Sequence, residues 1–125
     1  MKAKRAAFTR NTHRIASLVA CAVAFSLIPG VAQAATRVDT TCGQYICVHT
    51  LHEGRNVKDI TVEVRKVGDR FKLGAFFAEW RGDKSPMTNR ARWEVNLYRP
   101  NNHLVCGYAQ NSRSVQQGGN VCVTI

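Results

Sequence analysis

His49, His52 and Glu53, with His103 further along, are the residues whose types could make a metal site or an acid–base pair. Zinc binding and metal-assisted hydrolysis need such ligands at a spacing that makes them converge, as HExxH does on one helix face and CxxC does in a zinc knuckle. Neither pattern occurs, and His49-x-x-His52 lies at the end of a short extended run, where the expectation is solvent-exposed turn residues. No metal and no cofactor is therefore assigned. Past residue 34 the serines are Ser85, Ser112 and Ser114, all between turn-forming residues, and no GxSxG elbow surrounds any of them. The eight acidic residues show no spacing that singles out two for glycoside chemistry. Arg81-Gly82-Asp83 has the form of an integrin-binding tripeptide, but short motifs recur by chance in an arginine-rich chain. Nothing meets the test of nucleophile, base and orienting group, so no catalytic residue is assigned and binding ranks above catalysis.

The most informative pattern joins aromatic and basic residues. Within two extended runs, Lys72, Phe76 and Trp80 share one parity, as do Arg90, Arg92 and Tyr98; Arg81 follows directly on Trp80. If the two runs pair, these side chains alternate across one surface. Such a surface stacks on sugars or bases while guanidinium groups reach phosphates or carboxylates. The competing expectation buries Phe76 and Trp80 in the core, should a bulge near Gly74 change the register.

The elements that must hold these residues follow an N-terminal segment with a different character. Lys2, Lys4, Arg5, Arg10 and Arg14 precede a 14-residue apolar stretch, Ile15 to Ile28, too short for a comfortable bilayer span. Pro29-Gly30 then breaks it, and Ala32-Gln33-Ala34 supplies small residues for cleavage, so residues 1–34 read as a secretory signal and 35–125 as one secreted domain. A lipoprotein reading centred on Cys21 places too few apolar residues before the cysteine and too many after it. The chain carries 18 Lys and Arg against 8 Asp and Glu; five of the basic residues and none of the acidic ones lie in the leader. The remaining net charge of +5 attracts anionic polymers over a Debye length of ~8 Å, without implying nucleic acid.

Removal of Cys21 leaves an even set, Cys42, Cys47, Cys106 and Cys122, as suits an oxidised, exported domain. From Cys42 onward, alternation broken by turn residues predicts about six strands: 44–50, 57–66, 70–81, 90–99, 103–110 and 121–125. The expectation is an all-β fold, an up-and-down meander closed into a small antiparallel β-sandwich or flattened barrel. In the second run Ile60, Val62 and Val64 face one way, and the core face carries Phe71, Leu73, Ala75 and Phe77, then Trp93, Val95 and Leu97, with Val105, Val121, Val123 and Ile125. Of the three possible disulfide connectivities, the local pairs Cys42–Cys47 and Cys106–Cys122 are preferred because neither disturbs the meander.

In size, leader and β content the chain resembles the small secreted β proteins of filamentous actinobacteria, among them spore-associated proteins, tendamistat-like amylase inhibitors and neocarzinostatin-like carriers. The inhibitors' Trp-Arg-Tyr triplet is absent and the cysteine spacings differ, so no residue is carried over. The leading functional expectation is a secreted, non-enzymatic protein that contacts an anionic cell-envelope polymer or a partner protein through the basic and aromatic face. An extracellular enzyme inhibitor presenting the 82–89 loop comes second, and a small secreted hydrolase or antimicrobial protein third.

Overall fold

The computed structural model describes residues 35–125, so the leader reading and Cys21 lie outside the described residues. Nine strands and no helix are found among them: β1 (Thr36–Cys42), β2 (Ile46–Glu53), β3 (Asn56–Val64), β4 (Phe71–Phe77), β5 (Trp80–Arg81), β6 (Met87–Thr88), β7 (Arg90–Tyr98), β8 (Leu104–Gln110) and β9 (Val121–Thr124). They form two antiparallel sheets, ordered β1-β2-β3-β7 and β5-β4-β8-β9, with β6 also paired to β4. The result is a sandwich and not a closed barrel.

Period-two alternation builds the interior. Val48 on β2, Ile60 and Val62 on β3, Leu73, Ala75 and Phe77 on β4, Val105 and Ala109 on β8 and Val123 on β9 are fully or almost fully buried. Trp93, Val95, Leu97, Val121 and Ile125 flank this core half-buried on or beside the edge strands β7 and β9, and Phe71 does so at the start of β4, beside the two-residue β6. The sheets approach closely at Gly107, where a built Cβ would stand 2.7 Å from Val48 Cγ2 and 2.8 Å from Val62 Cγ2, so this position admits no side chain.

Both disulfides follow the local pairing, and each joins directly opposed residues of neighbouring strands: Cys42 with Cys47 across β1–β2, and Cys106 with Cys122 across β8–β9. Four features differ from the sequence expectation. First, β1 adds a strand before Cys42. Val38 is its only large aliphatic residue, so no hydrophobic alternation announces it, and its ladder to β2 holds it instead. Second, β2 continues through His52 and Glu53, since only Gly54 and Arg55 separate it from β3. His52 is consequently an inward, buried strand residue and not an exposed turn residue. Third, the run 70–81 folds back at Ala78 and Glu79, pairing Phe77 with Trp80 and Phe76 with Arg81; Ala78 takes the left-handed conformation (φ 54°) that its residue type does not advertise. Fourth, the meander is broken: β7 returns to pair with β3 and not with β4, so the two runs expected to share a face belong to different sheets.

Candidate functional site

The split between sheets divides the residues singled out from sequence. Lys72 and Phe76 lie on the outer face of the second sheet, where the Arg81 guanidinium sits 5.0 Å over the Phe76 ring. Trp80, opposite Phe77, packs against the core half-buried. Arg90, Arg92 and Tyr98 project from the outer face of the first sheet. Arg92 is committed there: Asp59 Oδ2 lies 2.8 Å from its Nη2 and Glu94 lies 3.7 Å from Nη1. The hydrogen bond to Asp59 raises the Arg92 pKa above its ordinary value.

A shallow depression of about 350 Å³ on this outer face contains His49, Thr61, Glu63, Arg90 and Arg92. His49 Nδ1 shares a hydrogen bond with Thr40 Oγ1 at 2.8 Å, and its Nε2 stands 3.8 Å from Glu63. Imidazole and carboxylate thus face each other within the depression. His52 points to the opposite, inward face, three positions along the strand from His49, whereas Glu53 shares the outer face but is engaged by Lys58 and Thr36 at the hairpin end. His103 is exposed at the far end, 3.4 Å from Arg55. Among the described residues no three His, Cys, Asp or Glu side chains come together to hold a metal ion.

The buried His52 binds β1 to β2. Its Nε2 lies 2.6 Å from Asp39 Oδ2 and its Nδ1 lies 2.7 Å from the Gly54 carbonyl. The hydrogen bond from His52, with a smaller contribution from the Arg37 charge, holds the Asp39 carboxyl below its ordinary pKa. A lowered folded-state pKa stabilises the fold above the unfolded-state value, and that contribution disappears as pH falls through the folded-state value. The urea midpoint is therefore expected to drop on acidification below about pH 4, and Asp39→Asn to flatten that drop. An unchanged acid limb in the variant would remove Asp39 as its source.

Pairing of the remaining charges is uneven. Among the described residues six of the eight carboxylates have a basic partner within ion-pair distance, the exceptions being Asp69 and Asp83. Only four of the thirteen Lys and Arg side chains are so engaged: Arg37, Lys58, Arg92 and Arg99. Of the nine left over, six stand at one end of the sandwich, where β3 and β8 finish and β4 and β7 begin: Arg65, Lys66, Arg70, Lys72, Arg90 and Arg113. At the opposite end Arg37 faces Asp39, Lys58 faces Glu53 and Arg99 binds Glu79, a contact that lowers the Glu79 pKa. Among the described residues charge is thus distributed unevenly from one end to the other.

Local structure fixes this cationic end. Lys66 to Asp69 close a turn through a 3.1 Å hydrogen bond from the Asp69 amide to the Lys66 carbonyl, with Gly68 at φ 92°, a conformation open to glycine. This turn lifts Val67, 99% exposed, to its tip. The Val64 amide bonds the Asn89 carbonyl at 2.9 Å and so sets Arg90 beside Arg65 and Lys66, around a depression of about 270 Å³ floored by Glu63 and Asn89. Asn111 Oδ1 accepts from the amides of Arg113 and Val115, ordering the 111–115 loop, and Lys72 Nζ reaches Ser112 and Ser114 at 3.3 Å. Tyr45 and Phe71 meet edge to face at 5.9 Å under this surface.

Comparison with family models, curated proteins and solved structures returns no match. The site therefore stands on its own geometry. Sequence reasoning found Arg90 and Lys72 but missed Arg65, Lys66, Arg70 and Arg113. Their basic type was visible; what identifies them is that they converge without carboxylate partners, which depends on the order of strands.

The 82–89 loop does not project. The Gly82 amide bonds the Ala75 carbonyl, the Ser85 amide bonds the Leu73 carbonyl, and Trp93 Nε1 donates to the Asp83 carbonyl at 3.1 Å. These contacts lay it along β4, with Arg81-Gly82-Asp83 held flat against Trp93.

Proposed function

We propose that this protein is an exported, non-enzymatic binding protein that holds an anionic polymer of the cell envelope against its cationic end. The observation that carries the reading is the convergence of Arg65, Lys66, Arg70, Lys72, Arg90 and Arg113 without ion-pair partners, against only two acidic residues at the same end, Asp69 and the His49-paired Glu63. Like charges gathered on one surface destabilise the free protein and lower the free energy of a bound polyanion by releasing its counterions. Two disulfides suit an oxidising compartment, which agrees with the leader read in residues 1–34. Among the described residues no helix is long and apolar enough to cross a membrane.

Affinity for a poly(glycerol phosphate) chain, measured calorimetrically over a salt series, is expected to fall linearly in the logarithm of salt concentration. Combined Arg65→Glu, Lys66→Glu and Arg90→Glu should weaken binding by about a hundredfold and flatten the salt dependence. Arg55→Glu with Arg81→Glu and Lys84→Glu, the same number of charge reversals at basic residues outside this cluster, should alter it little. Equal losses in both variants would reduce the interaction to net charge and overturn the assignment of the site.

A further inference from the structure

Among the described residues the outer edge of β1 pairs with no strand and offers a second surface. Long edge strands present unpaired N–H and C=O groups, and proteins blunt them by shortening, bulging, covering or charging them. The other edges here are treated in these ways. In β7 the register shifts opposite Val57 and Asp59, and Asn96 lies at φ 48°; the β5–β6 edge is two pieces of two residues; β9 has four residues. By contrast, β1 pairs with β2 for seven residues without a bulge and contains neither proline nor glycine.

The hairpin fixes which groups face outward. The Gly43 amide bonds the Ile46 carbonyl, so Gly43 and Ile46 are a hydrogen-bonded pair and the opposed Cys42 and Cys47 are not. Alternation along the ladder then turns the amides and carbonyls of Arg37, Asp39 and Thr41 toward β2, and those of Thr36, Val38 and Thr40 toward the open edge. Thr36, Val38 and Thr40 are all exposed, Val38 at 61%.

We infer that this edge pairs with the β1 edge of a second copy of the chain, antiparallel about a two-fold axis at Val38. The charge pattern Thr36-Arg37-Val38-Asp39-Thr40 is complementary to itself when reversed. The axis at Val38 sets Arg37 opposite Asp39 of the second copy, and Asp39 opposite its Arg37. These are non-hydrogen-bonded positions, where opposed side chains come closest. Asp39 holds His52 through Oδ2, and its Oδ1 makes only a long, solvent-exposed 3.5 Å contact with Arg37 of its own chain, which pairing would exchange for the guanidinium of the second copy. Moving the axis one residue either way places Asp39 against Asp39 or Arg37 against Arg37, and like charges directly opposed are destabilising. The charges thus select one register. In that register Thr36 with Thr40, Val38 with Val38 and Thr40 with Thr36 exchange the outward backbone groups, and the two first sheets become one continuous sheet. Val38 from each copy then lies beside Leu51 of its own chain, covering the most exposed aliphatic residue of the strand. A ladder of this length buries less than a standard interface, so association is expected at high micromolar protein.

Amide hydrogen exchange of the purified protein, followed by NMR over a concentration series, tests the inference. Exchange at Val38 and Thr40 should slow as concentration rises, while Asp39 and Thr41, already bonded to β2, should not change. Arg37→Asp should weaken self-association by about tenfold or more, and Val38→Pro, which deletes an amide that only a second copy would use, should abolish it. Exchange at Val38 and Thr40 that is independent of concentration, or protection that survives in either variant with native dispersion retained, would overturn it.

Discussion

Phe77→Ala is expected to lower the free energy of unfolding by about 3–5 kcal/mol. The side chain is fully buried and is among the largest in the core. It stands opposite Val105 on β8 and Trp80 on β5, at the point where β4 turns back at Ala78. Truncation removes the transfer free energy of the ring and leaves a void that two closely packed sheets relax into poorly. A domain of 91 residues has a total stability of only ~5–14 kcal/mol, so the loss takes a large fraction and in the worst case unfolds the protein. Phe76, the next residue, faces outward under Arg81; Phe76→Ala should cost far less, since a partly solvated cation–π contact contributes about 0.5–1 kcal/mol. Urea titrations of the two variants at constant m value measure both numbers. Equal effects would mean that the alternation along β4 does not separate inside from outside.

That alternation is also what made the core legible. Leu73, Ala75 and Phe77, Ile60, Val62 and Val64, and Val105 and Val123 are found inward because burial on one face of a pleated strand leaves a period of two, whichever strands pair. Strand order leaves no such local trace. β4 and β7 both alternate cleanly, and a reader of the sequence pairs them because consecutive strands usually neighbour each other. The chain instead carries β7 back beside β3, and the aromatic and basic residues expected on one surface divide between two. β1 stayed hidden for a related reason: an edge strand with a single large aliphatic residue has no buried face to imprint a pattern. His52 looked like a turn residue because Gly54 is near, yet a two-residue hairpin places it one step inside the ladder, where Asp39 satisfies its ring. The cationic end follows the same logic. The basic residues are plain in the sequence, but their lack of partners is a property of which loops meet at which end.

Removing the Cys106–Cys122 bond by Cys106→Ala with Cys122→Ala is expected to cost about 3 kcal/mol, against about 2 kcal/mol for Cys42→Ala with Cys47→Ala, because the closed loop is longer. The sequence separations are 16 and 5, and in both bonds the Cα atoms stand 4.0 Å apart across paired strands. The larger effect should also be local. β9 is an edge strand of four residues held on one side by β8, so the Val121 to Val123 amides should lose most of their exchange protection when its bond is cut. Cutting Cys42–Cys47 leaves β1 its full ladder and the Asp39–His52 contact, so its amides should stay protected. A cost below about 1 kcal/mol for the longer loop would mean that the denatured chain already keeps β8 and β9 together. A cost near the expected value would leave the reduced protein with a stability close to that at which small domains unfold in use, tying its folding to an oxidising compartment.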